Sequence, residues 1–104
     1  MKIRLLFASS AFLCNFSSFA GDVEVIQKDK TFDKTSLELK VGESISFVNN
    51  DTVTHNVFSN SPDIKFDLKT QKPGETSKIK FDKAGTGEVR CAIHPGMKIA
   101  VTVK

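Results

Sequence analysis

Apolar and polar residues alternate with a period of two along most of the chain, the signature of half-buried β-strands. Val23 and Val25 open the pattern. Leu37, Leu39 and Val41 alternate with Glu38 and Lys40, and Ile45 and Phe47 with Ser44 and Ser46. Ile64, Phe66 and Leu68 alternate with Lys65 and Asp67, and Ile79 and Phe81 with Lys80 and Asp82. Val89 shares a face with Cys91, as do Ile99, Val101 and Val103. Turn-forming clusters separate these runs: Val41-Gly42-Glu43, Asn49-Asn50-Asp51, Asn60-Ser61-Pro62-Asp63, Lys72-Pro73-Gly74-Glu75, Ala84-Gly85-Thr86-Gly87 and Pro95-Gly96. No window carries a helical stripe. Seven or eight short strands with regular turns predict an all-β fold, an antiparallel β-sandwich with one buried and one wet face per sheet.

The first twenty residues follow another rule. Lys2 and Arg4 precede an apolar stretch from Leu5 to Cys14, and Ser18-Phe19-Ala20 ends the segment with small residues at the two positions a signal peptidase reads. This predicts a secretory signal peptide over 1–20, a periplasmic destination and one domain over 21–104. The apolar run is too short to span a bilayer. The whole chain has 104 residues, 15 basic against 12 acidic, which excludes a multi-domain enzyme. Without Lys2 and Arg4 the charge balance is close to neutral. There is no basic block, no Trp and no Tyr, so nucleic-acid binding has no support. Cys14 leaves with the leader. Cys91 is then a lone thiol in an oxidising compartment, unable to form an internal disulfide.

That thiol has company. The segment Val89-Arg90-Cys91-Ala92-Ile93-His94-Pro95-Gly96-Met97 sets His94 three residues after Cys91 and Met97 three further on, at the junction of two strands. The other histidine, His55, lies far upstream in Asn49-Asn50-Asp51-Thr52-Val53-Thr54-His55-Asn56-Val57. Every Cys, His and Met of the domain belongs to this set. Taken singly, each would be a core or turn residue. Taken together they offer two imidazoles, a thiolate and a thioether, a donor set suited to a trigonal copper site with a weak axial Met. Structural zinc usually takes four Cys or His ligands, and only three are available.

At these residues the chain resembles the cupredoxins, the small blue copper proteins of the plastocyanin, pseudoazurin and amicyanin group. Phe47-Val48-Asn49-Asn50, His55-Asn56-Val57 and the short Cys91, His94, Met97 loop carry the likeness, and the loop with Pro95 after the His is most similar to the amicyanin type. The resemblance implies a Greek-key sandwich with one copper ion at one end. It implies His55, Cys91 and His94 as equatorial ligands and Met97 as the axial one. It also implies that the Asn56 N–H points at the Cys91 sulfur while the Asn56 side chain ties the two ligand segments together. Ala92 stands where many members carry Thr or Ser to receive that tie.

The expected activity is single-electron transfer by a monomeric, non-enzymatic carrier. His94 would be the exit, and transient redox partners would dock there. The amicyanin likeness suggests a dehydrogenase and a c-type cytochrome. The alternative is copper storage or delivery. Against it, the domain has no further Met or His to exchange the ion stepwise. A Cys–His hydrolase would need an oxyanion-hole loop that the sequence does not display.

Overall fold

The computed structural model describes residues 21–104; the expected leader at 1–20 lies outside them. Among the described residues the chain forms nine strands: β1 (Asp22–Lys28), β2 (Thr31–Phe32), β3 (Ser36–Leu39), β4 (Ser44–Asn49), β5 (Val57–Ser59), β6 (Phe66–Asp67), β7 (Thr76–Lys80), β8 (Gly85–Cys91) and β9 (Lys98–Val103). They build two sheets. One has the order β2-β1-β4-β7 and the other β3-β9-β8-β5-β6. Among the described residues no helix is long and apolar enough to cross a membrane.

The alternating positions account for the packing. Val25 of β1 and Ile45 and Phe47 of β4 point inward from one sheet. Val57, Val89, Ile99, Val101 and Val103 meet them from the other. The Phe47 ring lies between Phe32 and Phe66, with centroids 6.5 and 5.9 Å away. Burying one such ring stabilises the fold by about 1.5–3 kcal/mol. Cys91 and Met97 belong to the same cluster.

Four details differ from the sequence expectation. First, each sheet is mixed: β1 runs parallel to β4, and β3 parallel to β9. The chain changes sheet between β2 and β3, between β3 and β4 and again between β4 and β5, so β1 and β3 find non-consecutive partners beside them, and those partners can run the same way. Second, Val41 falls beyond the end of β3 and is 46% exposed. Third, the run expected from Ile64 to Leu68 is a 3-10 turn (Pro62–Ile64) followed by the two-residue β6. The expected turn at 84–87 is instead the start of β8. The last two share one cause. A Cβ on Gly85 would collide with Asp63, and one on Gly87 with Ser61 and Ile64. These glycines are strand residues without side chains, and the 3-10 turn lies against the surface they leave bare. The Glu88 N–H donates to Ser61 Oγ at 2.9 Å and fixes the contact.

Candidate metal centre

One end of the sandwich gathers three segments. His55 lies in the extended stretch between β4 and β5, held by a single antiparallel bridge to Gln71. Its N–H donates to the Gln71 carbonyl at 3.0 Å, and the Gln71 N–H donates back at 2.7 Å. Cys91 ends β8. His94 lies in the turn that follows, where the Met97 N–H closes back on the His94 carbonyl at 3.0 Å. β5 pairs with β8 so that Val57 faces Cys91, which brings the neighbouring His55 over the sulfur.

Nδ1 of His55 is 3.1 Å from Nδ1 of His94. The Cys91 Sγ is 3.7 Å from the first nitrogen and 3.8 Å from the second. All three donor atoms lie within 4.8 Å of one another. A triangle with these edges has a point about 2.1 Å from every corner, the length of a first-row metal bond to imidazole nitrogen and close to that of a bond to thiolate. Two imidazole nitrogens so close can share at most one proton, and an ion between them removes the conflict. The donors therefore fit a small soft cation such as copper. His55 and Cys91 are buried, at 0% and 2% exposure, as is Met97 at 1%. His94 is partly exposed, and Ile93 beside it is 50% exposed.

The surroundings set the chemistry of each donor. Nε2 of His55 lies 2.9 Å from Asp51 Oδ2, in a pair whose side chains are 0% and 7% exposed. Asp51 accepts the proton there, so Nδ1 presents its lone pair inward. The Lys30 N–H and then the His55 ring hold the Asp51 carboxyl down at about 2. Loss of hydration, then the His55 ring and the Lys30 ammonium, push the His94 imidazole below its ordinary value, with Asp51 opposing. The Asn56 N–H donates to Cys91 Sγ at 3.4 Å, a contact that helps to orient the sulfur.

The Asn56 side chain departs from the expectation. Its Nδ2 donates to Asp67 Oδ1 at 2.9 Å, because Ala92 has no hydroxyl to receive it. The two ligand segments are joined instead by main chain, with the Ala92 N–H donating to the Asn56 carbonyl at 2.9 Å. The alternation pattern does not single out Asp51 or the buried amides Gln27, Asn49 and Gln71. Two of these carried a signal: Gln27 continues the inward face of Val23 and Val25, and Asn49 that of Ile45 and Phe47. A polar residue at an inward position is a buried amide that needs partners.

Comparison with known proteins gives concordant results. Residues 20–104 match the profile of the family described as copper binding proteins, plastocyanin/azurin family. The methylamine utilization protein MauL of Methylorubrum extorquens is 33% identical over 97% of this chain and 92% of its own. Amicyanin-alpha of the same organism is 30% identical over 82% of this chain and 74% of its own. A solved copper(I) form of an amicyanin variant superposes with a TM-score of 0.71 at 25% identity, covering 79% of this chain and 81% of that one.

Proposed function

The chain belongs to the plastocyanin/azurin family of copper-binding proteins and holds one copper ion, and we propose that it is a monomeric type 1 carrier of single electrons rather than an enzyme. In this reading His55, Cys91, His94 and Met97 would hold the ion, offering it two imidazoles, a thiolate and a weakly donating thioether. The single observation that carries it is the convergence of Nδ1 of His55, Nδ1 of His94 and Sγ of Cys91 on one point.

When bound, copper supplies a one-electron Cu(I)/Cu(II) couple. The rest is the work of the chain. Asp51 keeps the His55 ring in one tautomer and one orientation. The Asn56 N–H steadies the sulfur. The near-complete burial of His55, Cys91 and Met97 excludes water, so the surroundings reorganise little when the charge at the centre changes. His94 alone of the four reaches the surface, beside exposed Ile93, Pro95 and Gly96. That small apolar rim suits the weak, brief contacts of electron-transfer partners. The amicyanin likeness points to a dehydrogenase as donor and a c-type cytochrome as acceptor. Storage or delivery fits less well, because donors this deeply buried cannot pass an ion from ligand to ligand.

Export to the periplasm would remove residues 1–20, and protein recovered from that compartment is expected to begin at Gly21. The decisive test is the visible spectrum of the purified protein with added Cu(II). An intense band from thiolate-to-copper charge transfer is expected, absent in Cys91→Ser while the far-ultraviolet circular dichroism is unchanged. A colourless protein that binds only Cu(I), or a Cys91→Ser variant with an unaltered band, would refute the reading.

A further inference from the structure

We infer that Gln71 is a positioning residue for the metal centre, acting through the main chain of His55; the inference rests on the copper-carrier reading above. Gln71 is 1% exposed, and its two backbone bonds to His55 form an isolated bridge outside the named strands. Whatever holds Gln71 therefore holds His55.

What holds it is a set of buried amides. The Gln71 Nε2 donates to the Phe47 carbonyl at 2.8 Å and the Glu75 carbonyl at 3.2 Å. Carbonyls can only accept, so these bonds settle which way the amide faces. Its Oε1 is left to accept, and the Gln27 Nε2 donates to it at 2.7 Å. Gln27 is itself fully buried at 0% exposure. Its own Oε1 is, among the described residues, the one buried side-chain nitrogen or oxygen without a partner. An aliphatic residue would remove that unmatched oxygen if packing were all that mattered.

Asn49 completes the arrangement. Its Nδ2 donates to the Gln71 carbonyl at 2.9 Å and to the Val53 carbonyl at 3.0 Å. The segment before His55 and the segment paired with it are thus fastened to the end of β4. Gln27 extends the fastening to β1, where it lies opposite Asn49. The His94 turn has no such foundation. It is tied to the Asn56 carbonyl by the Ala92 N–H and closed by the Met97 N–H and an exposed bond from Arg90 to the Pro95 carbonyl at 3.3 Å, with no buried side-chain amide behind it. The two imidazoles therefore differ in kind: His55 is set by the core before any ion arrives, and His94 by its own turn.

The test uses the full-length protein with Gln71→Leu, Gln27→Leu and both changes together. In the metal-free state, Gln71→Leu should speed hydrogen exchange at the His55 N–H by about tenfold or more relative to the Val101 N–H. After loading with Cu(II), the same variant should show a shifted visible band. Its reduction potential should rise by about 59 mV, a tenfold change in relative affinity, because a loosened imidazole penalises Cu(II) more than Cu(I). Gln27→Leu should move both readings the same way by less. The double variant replaces both amides by an apolar pair and should recover thermal stability without recovering the potential. It also carries the test if Gln71→Leu fails to fold. Folded variants with the wild-type band, potential and exchange rate would overturn the inference alone. A wild type without a blue band would overturn the carrier reading and this inference with it.

Discussion

Asp51 Oδ2 lies 2.9 Å from Nε2 of His55, and the same oxygen accepts the Lys30 N–H at 2.8 Å. One carboxylate thus joins the β1–β2 turn to a buried imidazole whose other nitrogen faces the metal centre. Removing its charge should weaken the imidazole as a donor and raise the reduction potential. Asp51→Asn keeps an acceptor and loses the charge, and Asp51→Ala loses both. Voltammetry should rank the potentials wild type, Asn, Ala in ascending order. An Asn variant at the wild-type value would show that geometry alone matters there.

The same pair makes a prediction about acid. The Asp51 carboxyl is lowered from an ordinary 3.8 to about 2 by the Lys30 N–H and the His55 ring. A carboxyl with a depressed folded-state value contributes stability above its unfolded value and loses it as pH falls toward the folded one. Metal-free protein should therefore lose this contribution between pH 3.8 and about 2. Asp51→Asn should flatten the stability curve in that window, followed by circular dichroism, since the chain has no Trp or Tyr to report by fluorescence.

Met97 is buried in the same core cluster as Cys91. Met97→Leu conserves volume and should cost less than about 1.5 kcal/mol of stability. It should keep the blue colour and raise the reduction potential, because the thioether donates weakly to Cu(II) and an aliphatic group donates nothing. A lower potential, or no copper bound, would remove Met97 from the axial position.

A second pH effect concerns His94. Loss of hydration, His55 and Lys30 already hold its imidazole below the ordinary value, and a bound cation takes the neutral ring and lowers it further. In the reduced protein, where three donors suffice, the ring on its surface turn should accept a proton below that value. In the oxidised protein it should not. Reduction then takes up a proton, so the potential rises as pH falls, by up to about 59 mV per unit. A potential flat down to the onset of acid unfolding would mean that the turn pins the ring.

Gly87→Ala tests the packing of the 3-10 turn on β8. The added methyl would meet Ser61 and Ile64, and crowding of this kind costs about 1–3 kcal/mol. The thermal midpoint should fall while the visible band is unchanged, because Cys91 lies at the other end of the strand.

Faces were legible in the sequence and neighbours were not. A period of two says that Ile45, Phe47 and Asn49 share a side, but not that β1 is the parallel partner of β4. The period also misleads where it is short. Ile64, Phe66 and Leu68 alternate, yet Pro62 starts a 3-10 turn and the bare Gly85 and Gly87 admit it. Cys91, His94 and Met97 stood out because the loop confines them. The meeting of His55 with Cys91 depends on β5 pairing with β8 across 36 positions, which no spacing encodes. Asp51 was silent for another reason: in an extended bend, a residue four positions away has no fixed face, as it would on a helix.

The position of β9 has a consequence for how the molecule can be made. Among the described residues it is the last strand in chain order, yet it lies inside its sheet, between β3 and β8. Until it emerges, β3 has no partner in that sheet, and Met97 at its threshold has no seat. Synthesis from the N-terminus therefore cannot finish the sandwich piece by piece. The chain has to wait, with its apolar faces uncovered, for β9. Nascent chains that expose only residues 21–97 outside the ribosome should be digested readily by proteases, and chains that also expose Lys98–Val103 should resist.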